Sequence, residues 1–210
     1  MNFKTIAWNF NELGCEYYKE SLYDDAITAF THSIFFDTSD TAKYLVNRGT
    51  SYYCKKEYNL ALRDFNLAID FDAEFALSYV KRGYSFLDKY EYNFNQGNKN
   101  DEYLEMSICD FTKAINLGYL GPEVFVNRAT AYNFLEDSVK ALCDISRAIE
   151  LFDPPNPHAL VNRGTTYAEW GDWVHAKIDF DHAIRAASVY GPEIDEVRRR
   201  IEDVYNYHNI

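Results

Sequence analysis

The sequence has few basic residues and no long apolar stretch. It carries 21 Lys and Arg residues against 33 Asp and Glu residues, a net charge of −12 over 210 residues. A nucleic-acid-binding protein needs a basic face to replace the counterions of phosphates, so this balance argues against one and favours a basic or neutral protein partner. No more than three apolar residues follow one another, far fewer than the roughly 20 that cross a membrane. We therefore expect a cytoplasmic protein that contacts neither nucleic acid nor membrane.

Motifs that would indicate catalysis are also missing. The sequence contains no glycine-rich phosphate loop and no GxSxG motif, and no cysteine has an evident histidine base. Its four cysteines lie far apart without CxxC spacing, which favours buried free thiols over disulfides or a zinc site; they are Cys15, Cys54, Cys109 and Cys143. We predict a protein that is not an enzyme and holds no metal or cofactor.

Two short blocks recur along the chain. The first reads NELG, VNRG, VKRG, VNRA and VNRG, beginning at positions 11, 46, 80, 126 and 161. The second reads AFTHSI, DFNLAI, DFTKAI, DISRAI and DFDHAI, beginning at positions 29, 64, 110, 144 and 179. Successive blocks start 34 or 35 residues apart, except for one interval of 46 residues. The chain therefore contains five repeats.

Each repeat has the apolar period of a helix. In the second repeat, for example, apolar residues fall at three- and four-residue steps at Tyr58, Ala61, Leu62, Phe65, Ala68 and Ile69. The pattern predicts two helices with a short turn in every repeat. Because so small a repeat cannot bury its own apolar face, neighbouring repeats must stack.

The expected helix ends lie at polar, glycine and proline residues. We expect the second helices to end at 37–39 in the first repeat, near Gly118 in the third, and at Pro154, Pro155 and Pro157 in the fourth. After Gly191 and Pro192, apolar residues recur at helical spacing: Ile194, Val197, Ile201, Val204 and Tyr205. This segment predicts an eleventh helix, which caps the last repeat.

The repeats resemble tetratricopeptide repeats (TPRs). With Gly14, Gly49, Gly83, Ala129 and Gly164 at the eighth place, the repeats begin at 7, 42, 76, 122 and 157. The family's aromatic places are then filled in the first helices by Tyr17, Tyr52, Phe86, Tyr132 and Tyr167, and in the second by Phe30, Phe65, Phe111, Ile145 and Phe180. The sequence departs from the family at Phe10, Leu45, Tyr79, Phe125 and Leu160, where tryptophan is frequent.

The resemblance implies an all-α fold, a right-handed superhelical solenoid of antiparallel helix pairs. It implies one domain over residues 1–210, with repeats at about 7–40, 42–75, 76–121, 122–155 and 157–190 and a capping helix at about 192–207.

An arginine and an aspartate recur together. Repeats two to five carry Arg48, Arg82, Arg128 and Arg163 in the first helix and Asp64, Asp110, Asp144 and Asp179 in the second. The first repeat has Leu13 and Ala29 at these places, so both members are lost together. We predict structural ion pairs across a helix contact. The alternative is a row of arginines that binds an anion.

In TPR proteins the first helices line a concave groove that binds peptides. By that resemblance, one row facing the groove is Val46, Val80, Val126 and Val161, a second is Asn47, Lys81, Asn127 and Asn162, and a third is Thr50, Tyr84, Thr130 and Thr165. Trp8, Tyr18 and Tyr53 add rings at one end. Asparagine offers donors and an acceptor, so this row could pair with the amides of an extended peptide. The alternative is that Asn and Thr solvate the wall or bond to the next helix.

One TPR subfamily clamps the C-terminal carboxylate of heat-shock chaperones with Lys and Asn on one helix, Asn on the next, and Lys and Arg on the third. Here those places hold Asn11, Cys15, Asn47, Leu77 and Lys81. The sequence therefore predicts no chaperone-tail clamp.

The third repeat contains an insertion. Arg82 and Asp110 are 28 residues apart, whereas the equivalent pairs are 16 apart, so 12 residues are added at about 89–101. We predict that both helices are prolonged by a turn or more, with a tip at Gln96, Gly97 and Asn98. The inserted segment is either tolerated decoration or, because it carries aromatic residues in a polar setting, a projection that contacts a partner.

These observations predict a non-catalytic scaffold that binds a peptide or protein through the concave groove. One alternative is a dedicated inhibitor or chaperone-like subunit that covers a folded partner with the insertion or the convex face. Another is a metal-dependent enzyme or sensor, since His175, Asp179 and His182 would share a helix face. The sequence leaves the partner and the oligomeric state open.

Overall fold

The structure, a computed structural model, describes residues 2–152, 156–190 and 194–208, and these ranges contain eleven α-helices and no strand. The helices are α1 (Phe3–Lys19), α2 (Tyr23–Phe36), α3 (Thr41–Cys54), α4 (Tyr58–Phe71), α5 (Ala76–Asn95), α6 (Glu102–Asn116), α7 (Pro122–Phe134), α8 (Ser138–Leu151), α9 (Pro157–Glu169), α10 (Trp173–Tyr190) and α11 (Ile194–Tyr207). No helix within these ranges is long and apolar enough to cross a membrane.

The chain divides into two compact units, an N-terminal unit (Met1–Tyr119) and a C-terminal unit (Leu120–Ile210). In the N-terminal unit α1 to α6 pack in succession, each against the next. In the C-terminal unit α7 to α10 do the same, and α11 packs against both α9 and α10. The helix pairs are those that the repeats predict.

A phenylalanine ring fills the space between the two helices of most repeats. Phe30, Phe65, Phe111 and Phe180 are all at most 2% exposed, and each lies against the glycine at the eighth place of its repeat. A methyl group on that glycine would come within 2.5–2.7 Å of the ring. In the fourth repeat both members change, since Ala129 packs against the smaller Ile145. The volume of the pair is thus conserved, as a close-packed interior requires.

The turn between the two helices of a repeat has the same conformation in all five repeats. Its left-handed residues are Ser21, Lys56, Gly97, Glu136 and Gly171, with φ between 60° and 85°. In the first repeat, the N–H of Leu22 donates to the carbonyl of Tyr17 at 2.9 Å and that of Ser21 to the carbonyl of Tyr18 at 3.0 Å. This is the Schellman arrangement, which satisfies the last carbonyls of a helix.

Side chains and prolines set the helix starts. Asn156 accepts hydrogen bonds from the N–H groups of His158 and Ala159, and Pro157 occupies the first turn of α9. Pro157 therefore begins a helix rather than ending the one before it, contrary to our prediction. Pro154 and Pro155, together with Gly191 and Pro192, lie outside the described residues.

The insertion lengthens mainly one helix. α5 ends twelve residues after Gly83, whereas α3 ends five residues after Gly49, so α5 gains about two turns. α6 begins eight residues before Asp110, compared with six residues before Asp64 for α4. The prediction that both helices are prolonged by a turn or more is therefore right for α5 and wrong for α6.

The last helix covers the end of the final repeat. Val197 and Ile201 are buried against Phe180, Ala183 and other apolar residues of α9 and α10. Ile194, Val204 and Tyr205 pack around them and are partly buried. These five residues are those that the helical spacing selects, so the predicted capping role of α11 is confirmed.

Candidate functional site

The first helices of the three N-terminal repeats form a cleft of about 330 Å³, which we call the N-terminal cleft. α1, α3 and α5 supply its walls, and Phe30 of α2 lies beneath them. Its lining residues are Cys15, Tyr18, Lys19, Phe30, Val46, Asn47, Thr50, Leu77 and Lys81. Tyr18, Val46, Asn47, Thr50 and Lys81 are among the predicted groove residues, whereas the sequence interpretation did not select Lys19 and Leu77 for a groove.

A second cleft, the C-terminal cleft, has a volume of about 240 Å³ and belongs to the other unit. It lies among α7, α8, α9 and α11 and is lined by Thr130, Asn133, Phe134, Ile145, Asn162, Thr165, Glu169 and Arg200. The groove prediction contains Thr130, Asn162 and Thr165 but not Arg200, because α11 lies outside the repeat pattern.

The predicted valine row is mostly interior. Val80 and Val161 are 1% and 0% exposed, so the prediction that they line a groove is wrong: within their units they belong to the packed core. Val46 is also only 1% exposed and contributes to the floor of the N-terminal cleft. Val126 is half-buried.

The asparagines of the second row already bond within the protein. The side-chain N–H of Asn47 donates to Oδ1 of Asn11 at 2.8 Å. Asn127 donates to the carbonyl of Glu123 at 2.7 Å, in its own helix. Asn162 accepts a hydrogen bond from Arg200 at 2.6 Å. Each amide therefore keeps only part of its capacity for a ligand, and the alternative interpretation of this row applies to these bonds.

The third row is held by its own helices. The hydroxyls of Thr50, Thr130 and Thr165 each donate to the carbonyl four residues earlier, at 2.7–3.1 Å. The ring of Tyr84 lies 5.5 Å from that of Phe111, and the ammonium of Lys81 lies 5.7 Å from the centre of the Tyr84 ring.

The tyrosines predicted at one end of the groove have fixed hydroxyls. Tyr18 Oη lies 3.3 Å from Cys54 Sγ, and Tyr53 donates to Asp88 at 2.5 Å. Burial, followed by these hydrogen bonds, raises the pKa of both tyrosines, so both stay neutral at physiological pH. Burial also raises the pKa of Asp88. Trp8, the third predicted ring, is 56% exposed and is not part of the N-terminal cleft.

The repeated arginines form the predicted ion pairs. Arg48 donates through Nε and Nη2 to both oxygens of Asp64, at 2.7 and 2.9 Å. The same two-bond geometry joins Arg82 to Asp110, Arg128 to Asp144 and Arg163 to Asp179. Every pair links the first and second helices of one repeat. Because each aspartate is at most 6% exposed, its carboxylate is committed to the arginine.

The pKa of each paired guanidinium is raised. In Arg48, Arg82 and Arg128, burial opposes the charge, but hydrogen bonds and attraction to the aspartate outweigh it. In Arg163 the hydrogen bonds to Asp179 are the largest effect. These arginines are structural groups rather than a row that binds an anion.

The metal hypothesis gains no support from the described part of the chain. No three His, Cys, Asp or Glu side chains are grouped there closely enough to hold an ion. His175 Nδ1 lies 2.7 Å from Asp172 Oδ2, and Asp179 is bonded to Arg163.

The four cysteines are free thiols, but they are not all buried. Cys15 and Cys54 are half-buried, whereas Cys109 and Cys143 are exposed on α6 and α8. The expectation of buried thiols is therefore wrong for the latter two. Both precede the buried aspartate of their repeats by one residue, which turns their side chains away from the helix contact.

No family model matches the chain. It is 30% identical over 115 residues to RNA polymerase II-associated protein 3 of Xenopus tropicalis, a match that covers 54% of this chain and 17% of that protein. The chain thus spans less than a fifth of the length of this relative.

Two solved structures are similar to the whole chain or a large part of it. A thermophilic TPR protein of Thermus thermophilus has a TM-score of 0.69 and 19% identity, over 94% of this chain and 98% of that one. The first TPR of Spaghetti (RPAP3), bound to the HSP90 peptide SRMEEVD, has a TM-score of 0.54 and 22% identity, over 63% of this chain and 98% of that one. With its antiparallel helix pairs packed in succession, the chain has the tetratricopeptide-repeat fold.

Proposed function

We propose that this protein is a non-catalytic interaction scaffold that holds an extended segment of another protein in the N-terminal cleft. The observation that carries the proposal is the convergence of three first helices on one cleft with an apolar floor and polar walls. Small clefts that combine apolar surface with a few fixed polar groups are typical binding sites.

The floor of the cleft suits an apolar side chain of the ligand. Phe30 and Val46 are almost fully buried, and Leu77 of α5 is half-buried beside them. A ligand side chain placed here would cover apolar surface that otherwise faces water, which is favourable. This contact supplies affinity without reading a particular residue type.

The charge of the cleft favours an acidic segment. Among the described residues that line it are Lys19 and Lys81, and no Asp or Glu. The local charge is therefore opposite in sign to the net charge of −12. A carboxylate of the ligand is attracted at short range by the lysines, whereas more distant charges are screened beyond about 10 Å at 0.1 M salt. The basic or neutral partner expected from composition does not follow from this cleft.

The peptide bound to the Spaghetti TPR, SRMEEVD, is itself acidic, which supports an acidic ligand class. The five places of the chaperone-tail clamp are not reproduced here. Asn11 and Cys15 stand at two of them, and Asn11 is buried and bonded to Asn47. We therefore propose recognition of acidic side chains along the segment rather than of its terminal carboxylate.

Fluorescence anisotropy with labelled SRMEEVD tests this proposal, using the free acid and the C-terminal amide. We expect both forms to bind with affinities within twofold of each other. Lys81→Ala should weaken both at least fivefold, because an attractive charge is lost beside the cleft. Lys99→Ala is the matched control, since Lys99 is exposed in the insertion of the same unit. No binding of either form, or equal effects of the two substitutions, would contradict the proposal.

The insertion favours a second candidate, a subunit that covers one folded partner. Tyr92 and Phe94 near the end of α5 are 60% and 48% exposed, whereas Tyr90 and Leu104 are buried. Exposed rings in a polar setting are favoured at interfaces. In this case Tyr92→Ser with Phe94→Ser should abolish capture of the natural partner, while Lys81→Ala should leave it intact.

We also propose that the protein acts in the cytoplasm. The support is chemical, because the exposed thiols of Cys109 and Cys143 persist most readily in a reducing compartment. Fractionation of cells that express a tagged chain tests this location.

A further inference from the structure

Five half-buried arginines of the described chain fall into two classes. Four of them are the ion-paired residues of repeats two to five. The fifth, Arg200 of α11, donates through Nη2 to Oδ1 of Asn162 at 2.6 Å, and its Nη1 lies 3.2 Å from Nδ1 of His158. No carboxylate of a described residue lies within 4 Å of its guanidinium. Arg200 therefore carries a partly buried positive charge without an adjacent negative one.

Such a charge is costly unless an anion compensates it. Burial lowers the pKa of Arg200, the opposite of the direction in the four paired arginines. Asn162 fixes the position of the guanidinium by a short hydrogen bond. A guanidinium has five N–H donors in a planar fork, so a carboxylate could still bind to it with two hydrogen bonds.

Arg200 lines the C-terminal cleft, so a ligand can reach it. Phe134 and Ile145 give this cleft apolar surface. Asn133 adds an unusual feature: its Nδ2 donates to Thr166 at 2.8 Å, but its buried Oδ1 has no hydrogen-bond donor. An amide N–H of a bound peptide could satisfy this acceptor after a small rotation of the side chain.

The same cleft contains a carboxylate of its own. Glu169, at the end of α9, lines the cleft and is exposed, and no cationic group of a described residue lies within 4 Å of it. Arg200 and Glu169 thus offer opposite charges to one small cavity without pairing with each other. A ligand that carries only one charge would be attracted by one of them and repelled by the other.

We propose that the C-terminal cleft binds the C-terminal lysine of a peptide, with its carboxylate on Arg200 and its ammonium beside Glu169. The half-buried guanidinium receives the carboxylate, and the long lysine side chain reaches the exposed glutamate. The proposal goes beyond the acidic-segment binding proposed above and uses residues of the C-terminal unit alone.

Isothermal titration calorimetry with the peptides acetyl-GSGK, its C-terminal amide and acetyl-GSGL tests the assignment. We expect acetyl-GSGK to bind best. Amidation should weaken binding at least tenfold, because the charge-assisted bonds to Arg200 are lost. The lysine-to-leucine change should weaken it at least threefold. Equal binding of the acid and the amide would overturn the proposal.

Substitutions then assign each charge to its residue. In Arg200→Gln the acid and the amide should bind equally, and in Glu169→Gln the lysine and leucine peptides should bind equally. Arg199→Gln is the matched control, because Arg199 is exposed on the same helix and should leave all preferences unchanged. Arg200→Lys keeps the charge and should retain part of the preference for the acid, which distinguishes lost recognition from lost folding.

Two further comparisons guard the conclusion. Lys81→Ala should not change binding of acetyl-GSGK, so failure of the N-terminal cleft proposal and failure of this one are distinguishable. Free lysine brings the same charged groups without a peptide. If free lysine binds as tightly as acetyl-GSGK, the assignment to a peptide end is wrong.

Discussion

The two clefts are built from the same places of the repeat, but they carry different charges. Asn47 and Asn162 occupy the sixth place of the central helix of each cleft, and Thr50 and Thr165 the ninth. In the N-terminal cleft the asparagine donates to Asn11, whereas in the C-terminal cleft it accepts from Arg200. The neighbouring helix, rather than the repeat position, thus decides what an asparagine does.

The arginines differ in a similar way. Within the repeats each half-buried arginine meets a buried aspartate, which makes it part of the fold. In α11, which lies outside the repeats, Arg200 meets an amide and an imidazole. Equal burial can therefore accompany a structural role in one place and a capacity for binding in another.

The largest effect should come from breaking an ion pair inside a repeat. Asp179→Ala leaves the guanidinium of Arg163 partly buried without its carboxylate, and should lower the free energy of unfolding by about 3 kcal/mol. Arg200→Ala removes no ion pair and should cost less than about 1 kcal/mol. Urea unfolding at 25 °C measures both. The double change Arg163→Leu with Asp179→Leu should cost less than Asp179→Ala alone, and equal effects at Asp179 and Arg200 would abolish the distinction.

The next effect concerns the glycine–phenylalanine contact. Gly49→Ala places a methyl group 2.7 Å from the ring of Phe65, and should cost about 2 kcal/mol by overpacking. Adding Phe65→Ile reproduces the Ala129–Ile145 pair of the fourth repeat and should recover part of that loss. Thermal unfolding of the single and double variants gives the comparison. If the double variant is no more stable than Gly49→Ala, the two positions are not coupled.

A smaller effect is expected at the turns. Gly171 of the C-terminal unit has φ of 85°, so Gly171→Ala should cost about 1 kcal/mol. Lys56 of the N-terminal unit has φ of 61° without being glycine, and Lys56→Gly should stabilise the protein by about 0.5 kcal/mol because the strain is relieved. Chemical unfolding checks both signs. A loss of stability in Lys56→Gly would show that contacts of the lysine outweigh the backbone strain.

The smallest effect concerns pH. Burial raises the pKa of Asp88 above its unfolded value, so the folded state holds this proton more tightly. Stability from this group is present at low pH and is lost as pH rises through the folded pKa. Relative to Asp88→Asn, the wild-type protein should therefore become less stable between pH 3 and pH 7. Unfolding of both proteins across this range tests the sign, and a constant difference would contradict it.

Periodic features could be predicted from the sequence, because each is written several times. The helix pairs, the ion pairs and the face of α11 that contains Val197 and Ile201 follow from recurring residue types at recurring intervals. Repetition also reveals covariation, as in the joint loss of arginine and aspartate from the first repeat. Within a helix pair, such regularities reflect contacts that every repeat makes.

Features that occur once could not be predicted in this way. The burial of Val80 and Val161 depends on how neighbouring helices cover them, which their place in the repeat does not encode. Arg200 belongs to a helix without a counterpart, and only the basic run 198–200 marks it in the sequence. The division of the insertion between α5 and α6 was missed because its residues permit helix on either side of the turn.

The seven-residue extension of α5 preserves the direction of the chain. At 3.6 residues per turn, seven residues complete nearly two revolutions and leave the helix end rotated by only about 20°. The reversal at Gly97 therefore leaves α5 from almost the same side as the reversal at Lys56 leaves α3. An extension of five residues would rotate the exit point by about 140°. Length changes at this place should consequently come in multiples close to whole revolutions, or be accompanied by a rebuilt turn.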